Sequence, residues 1–196
     1  MRRKLARAVD MLWAMHQAPA RSTTLLRREW IAACAAGLLG ALYAAVSAYW
    51  GAGGTALLDT VGGTLEHEAR GRAAGALAVV RITVVLKLAA SGIGLLAVAQ
   101  PRWLSPGRCR FVRASAWLAA GILVLYGGVL TVIGVLVQAD ILHASAHADH
   151  KALRWHAFLW DPWFLLWGLL LATALARSRG PTTRPRRPGE SQPANP

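Results

Sequence analysis

Apolar residues along this chain fall into four long blocks separated by short polar ones, with no sustained alternation of period two, so the pattern predicts helices rather than strands. A bilayer core about 30 Å thick is crossed by roughly 20 apolar residues in helical form. Trp30 to Trp50 and Ala114 to Gln138 carry no charge, Ala74 to Ala99 carries only Arg81 and Lys87, and His156 to Ala176 carries Asp161 besides its terminal His156. The prediction is an all-α, polytopic membrane protein: a four-transmembrane-helix bundle with spans near 30–50, 74–99, 114–138 and 156–176, inside a membrane domain of residues 30–176.

The flanks read differently. In the basic N-terminal segment, residues 1–29, Leu5, Val9, Leu12 and Trp13 recur near helical spacing, which suits either an amphipathic helix on the membrane surface or a plain basic flank. Residues 177–196, with Pro181, Pro185, Pro188 and Pro193 and no apolar periodicity, are expected to form a disordered basic tail. No internal repeat is visible.

Composition narrows the class further. The chain is 55% hydrophobic and only 16% charged, against about 25% charged in an ordinary soluble domain, which excludes a soluble enzyme. The net charge of +13 is unevenly placed. Sixteen Lys and Arg lie in the N-terminal segment, the second loop and the tail, and four in the first and third loops. Basic residues collect on cytoplasmic flanks, so with four spans both termini are expected to be cytoplasmic. The charge then marks topology and attraction to anionic lipid rather than nucleic-acid binding. Membrane lipids are the expected partners, with a membrane-protein partner or a homo-oligomer left open. Val46-Ser47-Ala48 resembles a signal-peptidase site, but the long polar stretch before its apolar run makes a poor leader, so that run is expected to stay as a span. Cys34 and Cys109 lack Cys-x-x-Cys spacing and are expected to be free thiols.

Ionisable groups inside a bilayer are costly, so Arg81, Lys87 and Asp161 are the most informative positions. Counted from the second-loop and tail ends of their spans, Asp161 falls between the two cations in depth, with Tyr43 and Tyr126 near the level of Lys87. An outward-facing polar pocket is the expectation. Arg81 and Lys87 lie about 120° apart around a helix, which limits what one carboxylate can reach. Three readings follow: an Arg81–Asp161 or Lys87–Asp161 ion pair that orders the helices, a ligand pocket built from the same groups, or cations snorkelling to the interface. Asp161 before Pro162 also looks like a helix start, with Lys151 to Trp160 as a separate interfacial helix.

Small residues predict the helix seams: Gly37, Ala41 and Ala45 in the first span, and Gly127, Thr131 and Gly134 in the third. In the third loop His143, His147 and His150, spaced four and three apart, would share a helix face and form a candidate transition-metal site, with Asp140 and Asp149 nearby and His67 in the first loop. Catalytic and cofactor motifs such as Gly-x-Ser-x-Gly, His-Glu-x-x-His or a phosphate loop are missing, so no catalytic residue and no cofactor are assigned.

Tyr49-Trp50-Gly51-Ala52-Gly53-Gly54 resembles the Tyr-Trp-x-x-Gly-Gly signature that closes the first helix in a family of small bacterial four-span proteins, domain of unknown function 3995. Leu159-Trp160-Asp161-Pro162-Trp163-Phe164 and the Leu-rich run after it are similar to the last span of that family. The resemblance covers about Trp30 to Ala176 and implies the four-span fold and a bacterial plasma membrane, without an activity. Independently, Tyr49 and Trp50 read as interfacial aromatics, and Gly53 and Gly54 as a turn that brings Asp59 back toward the membrane surface. The leading reading is a non-enzymatic membrane protein that binds a lipid headgroup or small anion through Arg81, Lys87, Asp161, Tyr43, Tyr126, Tyr49, Trp50 and Asp59. The alternatives are a structural or partner-binding subunit whose charges only order the helices, and a membrane-embedded acid/base enzyme using Asp161.

Overall fold

The structure, a computed structural model, describes residues 20–145 and 148–178. The amphipathic stretch Leu5 to Met15, His147 and the Pro-rich tail lie outside the described residues. Helix α1 (Ala20–Gly51) leads into a loop with a 3-10 turn (Leu58–Thr60) and a short α2 (Gly63–Arg70). Then come α3 (Ala74–Ala99), α4 (Pro106–Gln138), α5 (His150–Trp155), a π turn (His156–Trp160) and α6 (Asp161–Arg177). Four stretches are long and apolar enough to cross a membrane: Arg28–Gly51, Ala74–Ala99, Pro106–Gln138 and His150–Arg177. Each packs against its neighbours in chain order, and α1 closes the ring on α6. Large apolar side chains such as Ile82, Leu86, Leu118 and Leu125 point outward, as expected where the solvent is hydrocarbon and backbone groups are satisfied within each helix.

Two interior clusters sit at opposite ends of the bundle. Near the second loop, Ala33, Ala36, Ala116, Ala120 and Ala174 let the backbones approach around Trp167 and Leu171. Near the first and third loops the interior is aromatic, with Tyr43, Trp50 and Trp160 packed on Leu58 and Val80. The seam between α4 and α6 follows the expected small residues: Gly127 lies against the backbone of Asp161, Phe164 and Leu165, and Gly134 against Ala157. The seam of α1 differs from the expectation. Ala41 and Ala45 are exposed, and the buried stripe is Ala33, Ala36, Ala44 and Ser47, with Gly40 beneath Trp167 and Ser91. Ala and Gly are so abundant in this span that spacing alone does not select a face; the bulk of Trp167 does.

The helix boundaries also shift. Helix α4 starts at Pro106, eight residues before the expected Ala114. At about 1.5 Å per residue its 33 residues far exceed a 30 Å core, so the turns bearing Arg108, Arg110 and Arg113 extend beyond it. The fourth span is one continuous rod from His150, and Asp161 is not its cap. Its backbone is helical (φ −77°, ψ −42°) and its N–H donates to the His156 carbonyl in an i to i−5 bond. Pro162 lacks the donor an α-helix would require and its ring crowds the preceding turn. The π turn absorbs that conflict without breaking the rod. The cap belongs to Asp149, whose Oδ1 accepts from the backbone of Lys151 and Ala152 at 2.9 and 3.1 Å.

Candidate functional site

The Tyr-Trp-x-x-Gly-Gly sequence is a helix stop with a clamp. The Gly53 N–H donates to the Trp50 carbonyl and the Gly54 N–H to the Tyr49 carbonyl, both at 2.9 Å. This is the paired bonding of a Schellman motif, which requires a left-handed residue at Gly53, where φ is +95°. Gly54 lies directly against the Tyr49 ring, leaving no room for a Cβ. The two aromatics then hold Ala56: Trp50 Nε1 donates to its carbonyl at 2.8 Å and its N–H donates to the Tyr49 hydroxyl at 3.4 Å.

This clamp delivers three consecutive residues to the fourth span. Asp59 pairs with Lys151, Thr60 accepts from Trp160 Nε1 at 3.1 Å, and the Val61 carbonyl lies 3.2 Å from His156 Nε2. The hydrogen bond from Lys151 holds the Asp59 carboxyl below its ordinary value. The other ring nitrogen of His156, Nδ1, is 3.2 Å from Asp161 Oδ1, so the imidazole bridges loop and span through both nitrogens. The π turn makes this possible. In a regular helix positions 156 and 161 would be about 140° apart around the axis, whereas an i to i+5 bond stacks them.

The intramembrane charges do not meet in one cluster. Asp161, only 4% exposed, pairs with His156, and among the described residues neither Arg81 nor Lys87 forms an ion pair with it. Lys87 Nζ donates instead to Ser47 Oγ at 2.6 Å and sits 3.8 Å from the centre of the Tyr43 ring. Arg81 places Nε and Nη2 at 3.4 and 3.3 Å from the Gly51 carbonyl, one of the acceptors orphaned at the end of α1. The expected Arg81–Asp161 and Lys87–Asp161 pairs are thus replaced by contacts nearer to each group. Of the aromatics, Tyr43 stacks on Trp160 (centroids 5.5 Å apart) and touches Phe164 and Trp163. Tyr126 meets Phe164 edge-on from an exposed position, and Tyr49 is likewise half exposed.

His143 and His150 line one cleft of about 260 Å³ with Asp140. Among the described residues no three His, Cys, Asp or Glu side chains converge as metal ligands, and His147 lies outside those residues.

Several participants carry little signal in the sequence. His156 reads there as the polar edge of a span, Thr60 as a loop residue and Ser47 as a small residue in an apolar run. At the opposite end Arg113, which reads only as a basic flank, closes the fourth span. Its Nη2 donates to the Leu175 and Ser178 carbonyls at 2.5 and 3.1 Å, and its Nη1 to Ser178 Oγ at 2.7 Å. A guanidinium there satisfies orphan carbonyls and complements the negative end of the helix dipole.

No curated protein and no solved structure matches the chain. A family model described as "Protein of unknown function (DUF3995)" matches residues 39–171. The match runs from the middle of α1 to the buried Leu171 of α6, through both the loop clamp and the π turn, and the chain belongs to this family.

Proposed function

We propose that this membrane protein is a structural or partner-binding subunit whose intramembrane charges order its helices, inserted in a bacterial plasma membrane with both termini cytoplasmic. One observation carries the reading: Arg81, Lys87 and Asp161, the charged side chains inside the spans expected from the sequence, are each engaged by a neighbouring part of the same chain. Arg81 meets the end of α1, Lys87 meets Ser47 and Tyr43, and Asp161 meets His156. Such contacts set which helix lies beside which and at what height, a role in which polar side chains act as glue between spans. The uneven placement of basic residues supports the orientation.

Thermal unfolding in detergent tests this. The structural reading expects His156→Gln and Asp161→Asn each to lower the melting temperature and the double variant to recover part of the loss, because His156→Gln strands the buried Asp161 carboxylate and Asp161→Asn removes the acceptor that faces the His156 ring. Single variants as stable as the parent would overturn it and return weight to a ligand pocket using Arg81, Lys87 and Asp161. A membrane-impermeant maleimide, applied to intact cells bearing single cysteines in the first loop or at the C-terminus, tests orientation: labelling confined to the loop is expected.

The second reading, an anionic ligand at Arg81, rests on a cleft of about 310 Å³ lined by Ala48, Gly51, Ala52, Arg81 and Val84. A stoichiometric anion that co-purifies with the protein and is lost in Arg81→Gln would favour it.

A further inference from the structure

A cleft larger than those at Arg81 and at His143 lies over the start of the fourth span. It encloses about 610 Å³ and is lined by His150, Lys151, Arg154, Trp155, Phe158 and Leu159. Lys151, Arg154, Trp155 and Phe158 are all exposed, and their spacing puts them on one helix face. The opposite face is fixed: Ala152, Ala157 and Trp160 are buried, and His156 and Trp160 are tied to the first loop. The cleft therefore has a rigid wall.

Chemistry along that wall is graded. Its first turn is basic and its next turn aromatic and aliphatic. The rod from His150 to Arg177 has 28 residues, about 42 Å at 1.5 Å per residue, which matches a bilayer including its headgroup layers rather than the hydrocarbon alone. His150, Lys151 and Arg154 then stand at headgroup depth, Trp155 at the boundary where indoles collect, and Phe158 and Leu159 among acyl chains. Asp59 balances Lys151, whereas Arg154 has no acidic partner among the described residues. A guanidinium fork suits a phosphate better than an ammonium does.

We propose that this cleft binds one anionic phospholipid, its phosphate on Arg154 with His150 and Lys151, and an acyl chain along Trp155, Phe158 and Leu159. The site is separate from the intramembrane charges, so it stands or falls independently of the structural reading above.

Native mass spectrometry of the full chain in detergent, with phosphatidylglycerol and phosphatidylcholine in competition, tests it. One phosphatidylglycerol is expected to be held about tenfold more tightly, the scale of one charge-assisted contact. Arg154→Gln should abolish that preference without shifting the melting temperature measured without lipid, because the side chain is exposed. Arg154→Lys, which keeps the charge, should retain part of the preference and so separates loss of charge from loss of fold. Equal retention of the two lipids by the parent, or a preference that survives Arg154→Gln, would overturn the proposal. Displacement of the lipid by glycerol phosphate alone would also overturn it, since the site would then recognise a soluble phosphate ester.

Discussion

Trp160 and Thr60, one hundred residues apart in sequence, are joined by a 3.1 Å hydrogen bond from the indole Nε1 to the threonine hydroxyl, and both residues are 2% exposed. The Thr60 hydroxyl in turn donates to the Leu57 carbonyl at 2.5 Å, and Leu57 adopts a left-handed backbone, φ +61°. The pair thus locks a strained loop residue to the interior of the fourth span. Thr60→Val leaves the buried indole N–H without an acceptor and should cost about 1–3 kcal/mol, with Thr60→Ser close to neutral. Chemical or thermal unfolding in detergent measures both, and a Thr60→Val protein as stable as the parent would remove the lock from this account.

Seam and lipid face make opposite predictions one residue apart in α1. A Cβ at Gly40 would run into Ser91 and the buried Trp167 ring, so Gly40→Ala should cost about 1–3 kcal/mol through overpacking. Ala41→Leu, on an exposed position, should change stability by less than about 0.5 kcal/mol. The reverse ranking would mean that α1 packs through the Gly37, Ala41 and Ala45 face.

At the second-loop end, Arg113 makes three hydrogen bonds to Leu175 and Ser178. Arg113→Gln should destabilise by about 1–3 kcal/mol, because a buried helix end loses its donors. Arg113→Lys should recover only part, since an ammonium does not reproduce the planar fork. Hydrogen exchange at the amides of the last turn of α6 would localise the effect.

Stability at acid pH should report the Asp59–Lys151 pair. The folded carboxyl titrates below its ordinary value of 3.8, chiefly through the hydrogen bond from Lys151. A depressed folded pKa means that its contribution is fully present above the unfolded value and is lost as pH falls through the folded one. Melting temperatures of parent and Asp59→Asn should therefore differ at neutral pH and converge as pH falls through the depressed value of the folded carboxyl. The difference should also shrink in high salt, because the pair is exposed. A gap that persists unchanged at the lowest pH would assign the effect of Asp59 to something other than its charge.

The four spans, the helical class and the turn at Gly53-Gly54 were legible in the sequence because each depends on local chemistry. A run of some twenty uncharged residues has few destinations besides a bilayer, and glycine suits the left-handed turn that a tight helix stop requires. The α4–α6 seam could also be read, since Gly127 and Gly134 are seven residues apart and so fall on one helix face. What only the tertiary structure decided was pairing. Asp161 had two candidate cations in the sequence and took neither, because Pro162 forces a π turn that stacks Asp161 on His156. Depth along the membrane normal could be counted from the sequence; rotation around each helix and the path of the first loop could not. They depend on which bulky ring fills which gap, as Trp167 does over Gly40 and Trp160 does beneath Thr60. Packing complementarity is a property of surfaces that meet only after folding.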